Sequence, residues 1–209
     1  MSNVGRTRIH DQATAAALLD AAEAIVDTEG VEGLTVRRVA QQVGTTTRAV
    51  YSSLGSKEAL LAALGMRAFD LLGMQIAALP RSEDPAADLI AAGAAGFRRW
   101  ALEHPALFRV GFLHQVSVAP QVWARFGTSA QRALTTLHEL IRRVEQDGGL
   151  AGRPLTAATW QFHSLCEGLA AMELRGSMPC PENDSQQIWT DALGALVAGW
   201  RLTRPKADH

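Results

Sequence analysis

This sequence of 209 residues lacks the features that identify several whole classes of protein. Its two cysteines, Cys166 and Cys180, are too few for a disulfide framework. Its longest unbroken apolar run, Leu89 to Phe97, contains glycines and is far shorter than the roughly 20 residues of a membrane span. The opening residues MSNVGRTRIHD have no apolar stretch after their arginines, so they do not form a secretory signal. We therefore expect a cytoplasmic protein with reduced thiols and no membrane contact.

Neither sign of charge dominates the composition. Twenty Lys and Arg residues face 21 Asp and Glu residues, for a formal net charge of -1. This balance excludes a histone-like protein coated in positive charge, but it leaves room for a local basic face. Hydrophobic residues make up 47% of the chain, which is enough for a buried core and excludes wholesale disorder.

Strand-like alternation is nearly absent, whereas helical spacing is found along the whole chain. Between residues 11 and 29, for example, Leu18, Ala22 and Ile25 belong to one apolar stripe with three- and four-residue steps. The sequence therefore predicts an all-α fold of about nine helices. Capping residues, glycines and prolines place these helices at about 11–29, 36–43, 46–53, 57–79, 85–103, 105–117, 120–147, 155–175 and 185–203.

Two short helices joined at Gly44 form a candidate helix-turn-helix within the segment VRRVAQQVGTTTRAVYSSLGSKEALLAAL. Thr35 opens the first short helix, and Thr45 or Thr46 caps the second. The second helix presents hydroxyls and an arginine, side chains that can meet phosphates and base edges in a DNA groove. Lys57 begins the following helix, whose free N–H groups favour a phosphate.

The segment resembles the TetR family of bacterial one-component repressors over about residues 11–66. The resemblance rests on a first helix ending in EG, followed by LTVRRVAQQVG, a hydroxyl-rich helix ending in AVY, and GSKEAL. It implies a dimer whose two recognition helices enter successive major grooves of a palindromic DNA operator. The residues that it implies in DNA binding are Thr35, Arg37, Thr45, Thr46, Thr47, Arg48, Tyr51, Ser52, Ser53 and Lys57.

Two features depart from what this resemblance implies. Ser52, Ser53 and Leu54 stand where the family often has an aromatic-rich run. Residues 1–60 hold six Lys and Arg residues against seven acids, whereas a DNA-binding domain is usually basic. Both features favour an alternative function, that of a helical protein-interaction module that keeps the fold and has lost operator binding.

The C-terminal part is rich in large rings. We predict a DNA-binding domain at 1–56 and a ligand-binding and dimerisation domain at 57–209, which contains all five tryptophans. Rings among small residues can line a cavity for an apolar effector, although plain core packing explains most of them. The predicted effector-contacting residues are Phe97, Trp100, Phe108, Phe112, Trp123, Phe126, Trp160, His163, Cys166 and Glu167.

The segment GFRRWALEHPALFRVGF resembles a ligand-domain subclass of the same family that carries a Trp-His-Gly signature, and the stretch that corresponds to the signature here is TWQFHSLCEGLAAMELRG. If the two align, His163, Glu167 and Gly168 stand at its three positions. His163, Cys166 and Glu167 also share one helix face, a spacing that could present ligands to a metal ion. Because no second cluster completes a metal site, we predict polar pocket wall or core residues there, with no metal and no cofactor.

Four residues on the last two predicted helices are candidates for a dimer interface: Met172, Ala195, Leu196 and Gly199. Small residues let helices approach closely, so these faces could meet their copies across a two-fold axis, or simply close the monomer core. Enzyme motifs are absent, and only His163 and Glu167 would support a small helical enzyme. The sequence therefore predicts a homodimeric repressor that a small, mostly apolar molecule releases from its operator.

Overall fold

The computed structural model describes residues 3–113, 120–178 and 184–202, and the side chains of 13–113, 127–178 and 184–202. This part of the chain is all helical, as predicted, and forms nine helical rods. The α-helices are α1 (Asn3–Gly33), α2 (Val36–Val43), α3 (Thr47–Ser53), α4 (Lys57–Ala77), α5 (Pro85–Ala91), α6 (Arg98–Glu103), α7 (Pro105–Phe108), α8 (Pro120–Gln146), α9 (Leu155–Leu174) and α10 (Ser185–Trp200). The π-helical segment Ala92–Phe97 joins α5 and α6 into one rod, and the π-helical segment Arg109–Leu113 continues α7.

The first helix differs from its predicted extent at one end and agrees at the other. It begins at Asn3, eight residues before the predicted start, because residues 3–10 contain no proline and an existing helix extends at little cost. Gly30 interrupts it as predicted, with φ +74° and ψ 178°, a conformation that favours glycine. After this kink the helical residues continue to Gly33.

The predicted helix-turn-helix is present in the structure. Gly44 takes the left-handed conformation, and its N–H donates to the carbonyl oxygens of Ala40 and Gln41. Val39 and Val50, one on each short helix, are fully buried and join the two. The caps, the turn and the small core therefore agree, and α3 is held as a short, exposed helix after the turn.

The chain divides into two compact units. The first unit comprises residues 1–69 and 104–130, so α7 and its π-helical segment belong with the helix-turn-helix. The second unit comprises residues 70–103 and 131–209. The predicted domain boundary after residue 56 separates DNA binding from ligand binding and dimerisation. It is a division by function, which the two packing units do not test, so it stays a prediction.

The second unit has a core of large rings, in which Trp100, Trp189 and Trp200 are almost completely buried. Gly93, in the first π-helical segment, permits a close approach there. A Cβ atom at this position would lie 2.4 Å from Leu193 Cδ1 and 3.1 Å from Cys166 Sγ. The packing of this segment against α9 and α10 therefore depends on the absence of a side chain.

Within the described residues, α4 is long and apolar enough to cross a membrane by length and composition alone. Its sequence has no long unbroken apolar run, because the charged residues Arg67 and Asp70 interrupt it. The core helix of a soluble protein passes the same test, and Leu60, Leu61 and Leu64 of α4 are buried in the first unit. The observation is therefore weak evidence for a membrane span.

Candidate functional site

Two of the predicted DNA-binding threonines hold the helix-turn-helix in shape. The Thr35 hydroxyl accepts a hydrogen bond of 3.1 Å from the Arg38 N–H at the start of α2. The Thr46 hydroxyl accepts one of 3.2 Å from the Ala49 N–H at the start of α3, which resolves the choice between Thr45 and Thr46 as the cap. Each hydroxyl keeps its own hydrogen, which can still be donated to a phosphate.

The remaining predicted DNA-binding side chains are accessible to a ligand. Ser52 donates its hydroxyl hydrogen to the Ala49 carbonyl oxygen at 3.0 Å, and Tyr51 is 59% exposed. Thr45 and Lys57 are half-buried. The other exposed members of the set are Arg37, Thr47, Arg48 and Ser53. In the described part of the chain, neither Arg37, Arg48 nor Lys57 takes part in an ion pair, so these cations can approach phosphates or bases.

The neighbouring cation, Arg38, is in a different situation. Its guanidinium is hydrogen-bonded to the carboxylate of Glu29, nine residues earlier on α1. This contact was not predicted, because it requires the Gly30 kink to bring α2 back beside the end of α1. The paired carboxylate reduces the positive charge beside the helix-turn-helix.

The start of α4 carries an acid that sequence reasoning overlooked. Ser56 donates to the Glu58 carboxylate at 2.6 Å and accepts from the Ala59 N–H at 3.4 Å. The hydrogen bond from Ser56 is the main reason that the pKa of Glu58 lies below its usual range. A fixed negative charge therefore lies next to Lys57, and a phosphate at this helix start would interact with both.

The charge of the first unit differs from that of residues 1–60 alone. Counting all of residues 1–69 and 104–130, nine Lys and Arg residues face seven acids, for a formal net charge of +2. Within α1, Asp20 and Asp27 lie beside the cations Arg67 and Arg109, and Glu23 lies beside Arg67 and the His104 ring; all three partners lie outside residues 1–60. The acidity noted in the sequence is therefore largely compensated within the folded unit.

Two predicted effector-contacting residues belong to the unit that carries the helix-turn-helix. The rings of Phe108 and Phe112 are stacked with centroids 5.4 Å apart, and Phe112 lies 5.2 Å from Phe69 of α4. Phe108 is fully buried and Phe112 is half-buried. A change at Phe112 would therefore disturb the packing of α4 itself.

Other predicted effector-contacting residues lie in the second unit. The centroid of the Phe97 ring lies 5.9 Å from that of Trp100, in an edge-on arrangement, and 6.3 Å from that of Trp189, in a tilted one. All three rings are buried. Trp160, in contrast, is 57% exposed and contacts the His163 ring edge-on at 5.6 Å. The side chains of two further members of the predicted set lie outside the described residues: Trp123 and Phe126.

The His163–Cys166–Glu167 face of α9 is partly buried. His163 Nε2 lies 3.5 Å from Glu167 Oε2. Burial lowers the pKa of His163 and raises the pKa of Glu167, so burial favours the neutral form of each. Burial also raises the pKa of the Cys166 thiol, which lies in the core. Among the residues that the structure describes, no three His, Cys, Asp or Glu side chains are grouped to hold a metal ion.

The four predicted dimer residues are on accessible parts of α9 and α10. Met172 is 40% exposed and Ala195 is exposed, whereas Leu196 and Gly199 are half-buried. Val197 and Trp200, which flank them in the sequence, are buried in the second unit. The four residues are therefore available to a partner, and their role in a dimer stays a prediction.

Comparison with known families identifies both parts of the chain. Residues 18–64 match a family model described as bacterial regulatory proteins of the tetR family. Residues 89–196 match a model described as a tetracyclin repressor-like C-terminal domain. The chain belongs to the TetR family of transcriptional regulators, which are DNA-binding proteins rather than enzymes. Membership of the Trp-His-Gly subclass stays a prediction.

Individual relatives agree with this assignment. The chain is 26% identical over 187 residues to Rv0681 of Mycobacterium tuberculosis, an uncharacterized HTH-type transcriptional regulator, covering 87% of this chain and 79% of the relative. The fold is similar to the TetR-family regulator PfmR of Thermus thermophilus (TM-score 0.69, 19% identity, 86% of this chain and 96% of that chain). It is also similar to AibR in complex with isovaleryl coenzyme A and operator DNA (TM-score 0.68, 17% identity, 88% and 98%).

Proposed function

We propose that this protein is a cytoplasmic, ligand-responsive repressor that binds a palindromic operator as a homodimer. The observation that carries the proposal is the capped helix-turn-helix, in which Arg37, Arg48 and Lys57 have no ion-pair partner among the described residues. Phosphate contacts by such cations supply affinity, whereas base contacts from a short exposed helix supply selectivity. The proposed role is binding and release of DNA, without a catalytic step.

The charge of the first unit supports DNA binding over the interaction-module alternative. That alternative was favoured by the net charge of -1 over residues 1–60. The whole unit has a formal charge of +2, and four acids of α1 lie beside arginines: Asp20, Glu23, Asp27 and Glu29. The acids of α1 therefore do little to weaken the attraction of Arg37, Arg48 and Lys57 for DNA.

The second unit supports an effector that is mostly apolar and carries one polar group. His163 and Glu167 lie 3.5 Å apart with pKa shifts that favour neutral forms, so they suit an uncharged hydrogen-bonding group better than a strong charge. AibR, which is similar in fold, holds isovaleryl coenzyme A. The isovaleryl thioester group of that ligand fits this description, whereas its charged coenzyme A part does not. Short-chain acyl thioesters of an uncharged thiol are therefore the first compound class to test. A ligand regulates only if its affinity differs between the DNA-bound and released arrangements.

A homodimer is supported by the accessibility of Met172 and Ala195 and by the usual two-fold symmetry of palindromic sites. Two recognition helices would enter successive major grooves about 34–36 Å apart. Ala195→Glu should convert the dimer to a monomer, because it would bury an unpaired charge in the interface. Sedimentation that shows a monomer of the parent protein at micromolar concentration would contradict the dimer.

Selection of duplexes from a random pool by the full-length protein tests the whole proposal. We expect recovery of one palindromic sequence, with binding that weakens steeply as salt rises. An isovaleryl thioester of an uncharged thiol, added to the complex of the protein with that duplex, should change tryptophan fluorescence and release DNA together. Recovery of no preferred sequence would refute operator binding. Release that depends on added zinc instead would favour the metal interpretation of His163, Cys166 and Glu167.

A further inference from the structure

Three acidic side chains of α1, those of Asp20, Glu23 and Asp27, contact α4 and the α7 region of the first unit. Asp20 Oδ1 lies 2.5 Å from Arg67 Nη1 on α4, and Asp27 Oδ1 lies 3.7 Å from Arg109 Nη1 on the π-helical segment after α7. Between these two acids, Glu23 makes contacts in both directions. Its Oε2 lies 3.4 Å from Arg67 Nε, and its Oε1 lies 3.5 Å from His104 Nδ1 at the start of α7.

Glu23 is the least exposed of the three acids. Its side chain is 20% exposed, compared with 61% for Asp20 and 50% for Asp27. A half-exposed ion pair between two flexible side chains contributes little, but a less exposed carboxylate shared by an arginine and a histidine ring is less screened by water. Glu23 is therefore the one acid of the three that joins α1, α4 and α7 through a single group.

Apolar packing also joins α4 to the π-helical segment after α7. The rings of Phe69 on α4 and Phe112 after α7 lie 5.2 Å apart. A Cβ atom on Gly111 would lie 3.1 Å from Ala68 Cβ, so the π-helical segment lies directly against α4. The position of α7 and the tilt of α4 are therefore linked by side chains immediately after Arg67.

We propose that Glu23 is a positioning residue for operator binding, which holds α4 on α1 with the help of α7. Lys57, at the start of α4, is ten residues or roughly 15 Å from Arg67 along the helix. A small change of tilt at Arg67 therefore moves Lys57 and the neighbouring α3. This inference rests on the proposed operator binding and adds that residues beyond the helix-turn-helix complete the operator-binding unit.

The charge of Glu23 alone would have the opposite effect, which makes the proposal testable. Removing a negative charge from a DNA-binding unit strengthens its attraction to every DNA sequence. Removing a positioning contact weakens only the operator complex, since both recognition helices must be in register for it. Glu32→Gln is the matched control, because Glu32 is an exposed acid of α1 without an ion pair among the described residues.

The experiment compares the parent chain, Glu23→Gln, Glu32→Gln and His104→Gln. Each is titrated with the duplex selected by the parent and with a scrambled duplex of equal length, after thermal melting shows that it is folded. We expect Glu23→Gln and His104→Gln to bind the selected duplex about five- to tenfold more weakly than Glu32→Gln. Glu23→Gln should bind the scrambled duplex as Glu32→Gln does, and His104→Gln, which removes no acid, should bind it as the parent does. The His104 variant keeps the test decisive if Glu23→Gln does not fold.

The outcomes separate this inference from the function on which it rests. If the parent selects an operator and both variants bind it as Glu32→Gln does, the positioning role is refuted and operator binding stands. Equal losses on the selected and scrambled duplexes would also refute it, because they would indicate general damage to the DNA-binding surface. If the parent selects no operator, the proposed function fails and this inference fails with it.

Discussion

The ionic contacts inside the first unit of this regulator differ in kind from those inside the second unit. In the first unit, α1 meets its neighbours through ion pairs that are partly exposed to water, such as Asp20 with Arg67 and Asp27 with Arg109. In the second unit, Arg98 of α6 binds Glu173 of α9 with three contacts of 2.6 to 3.0 Å, and both side chains are less than 20% exposed.

This difference has consequences for how each unit can respond. Exposed ion pairs contribute about 0–1 kcal/mol each, so they can break and re-form as helices shift. The Glu173 carboxylate also accepts a hydrogen bond of 2.9 Å from Trp189 Nε1 on α10, and losing it would leave several buried groups without partners. We therefore expect rearrangement to be less costly around α1 than between α6, α9 and α10.

The largest expected effect is that of Glu173→Ala, which tests the stability of the second unit. The change leaves the Arg98 guanidinium and the Trp189 N–H buried without their acceptor. Breaking such a pair from one side should cost about 3–5 kcal/mol of the free energy of unfolding. Denaturation by urea measures it. Glu103→Gln, which removes an exposed partner of Arg99, should leave the midpoint unchanged. Equal effects of the two changes would contradict the comparison.

Asp88 provides the next largest effect and a dependence on pH. Burial raises the pKa of this carboxyl, but hydrogen bonds from Arg143 and Ser82 outweigh burial, so the pKa lies below its usual range. Its contribution to stability is therefore complete above the pKa of the unfolded carboxyl and is lost as pH falls through the lower, folded value. Asp88→Asn should cost about 2–3 kcal/mol at neutral pH.

A pH series of urea denaturation checks this linkage. The difference between the parent and Asp88→Asn should begin to shrink as pH falls below about 4, where the carboxyl of the unfolded chain takes up a proton. It should disappear only below the lower pKa of the folded carboxyl. Glu83→Gln is the control, because Glu83 is exposed and makes no ion pair among the described residues. A difference that stays constant down to pH 2 would show that the charge of Asp88 is not what stabilises the fold.

Local signals in the sequence predicted most of the helices. Thr35, Gly44 and Pro85 act within one turn of their own position, so their effects on helix starts and ends do not depend on the rest of the fold. Candidate DNA-binding residues could be proposed for the same reason, since the helix-turn-helix is a continuous segment. The earlier start of α1 shows the limit, because a helix without a stop signal continues past its predicted cap.

Contacts between distant residues could not be predicted in this way. Gly93 is close to Leu193, one hundred residues later, and nothing in the sequence near either residue specifies that approach. The π-helical segments and the position of α7 beside α1 depend on such packing as well. The effector-contacting set shows the same limit, because an aromatic side chain can be exposed like Trp160 or buried like Trp100 with no difference in the local pattern.

The DNA-binding face should show an intermediate effect that separates base from phosphate contacts. Arg48, exposed on α3, is expected to reach a base edge, so Arg48→Ala should cost about 1–3 kcal/mol and relax the preference at one position. Lys57→Ala should weaken binding to all sequences alike and lower the slope of log affinity against log salt by about one. Binding of the selected duplex by both variants as by the parent would show that α3 is not the recognition helix.

The smallest expected effect concerns Glu29, which pairs with Arg38 near the DNA-binding face. Glu29→Gln should release the Arg38 guanidinium for a phosphate. The Arg38 side chain is half-exposed and has no other ion-pair partner among the described residues. Affinity for scrambled DNA should rise by about two- to fivefold, and the salt slope should steepen by about one. Stability should change little, since the pair is exposed.

Glu32→Gln removes an equal charge from α1 without releasing a cation, so it should raise affinity less and leave the slope unchanged. An identical slope in both variants would show that Arg38 does not reach DNA when released.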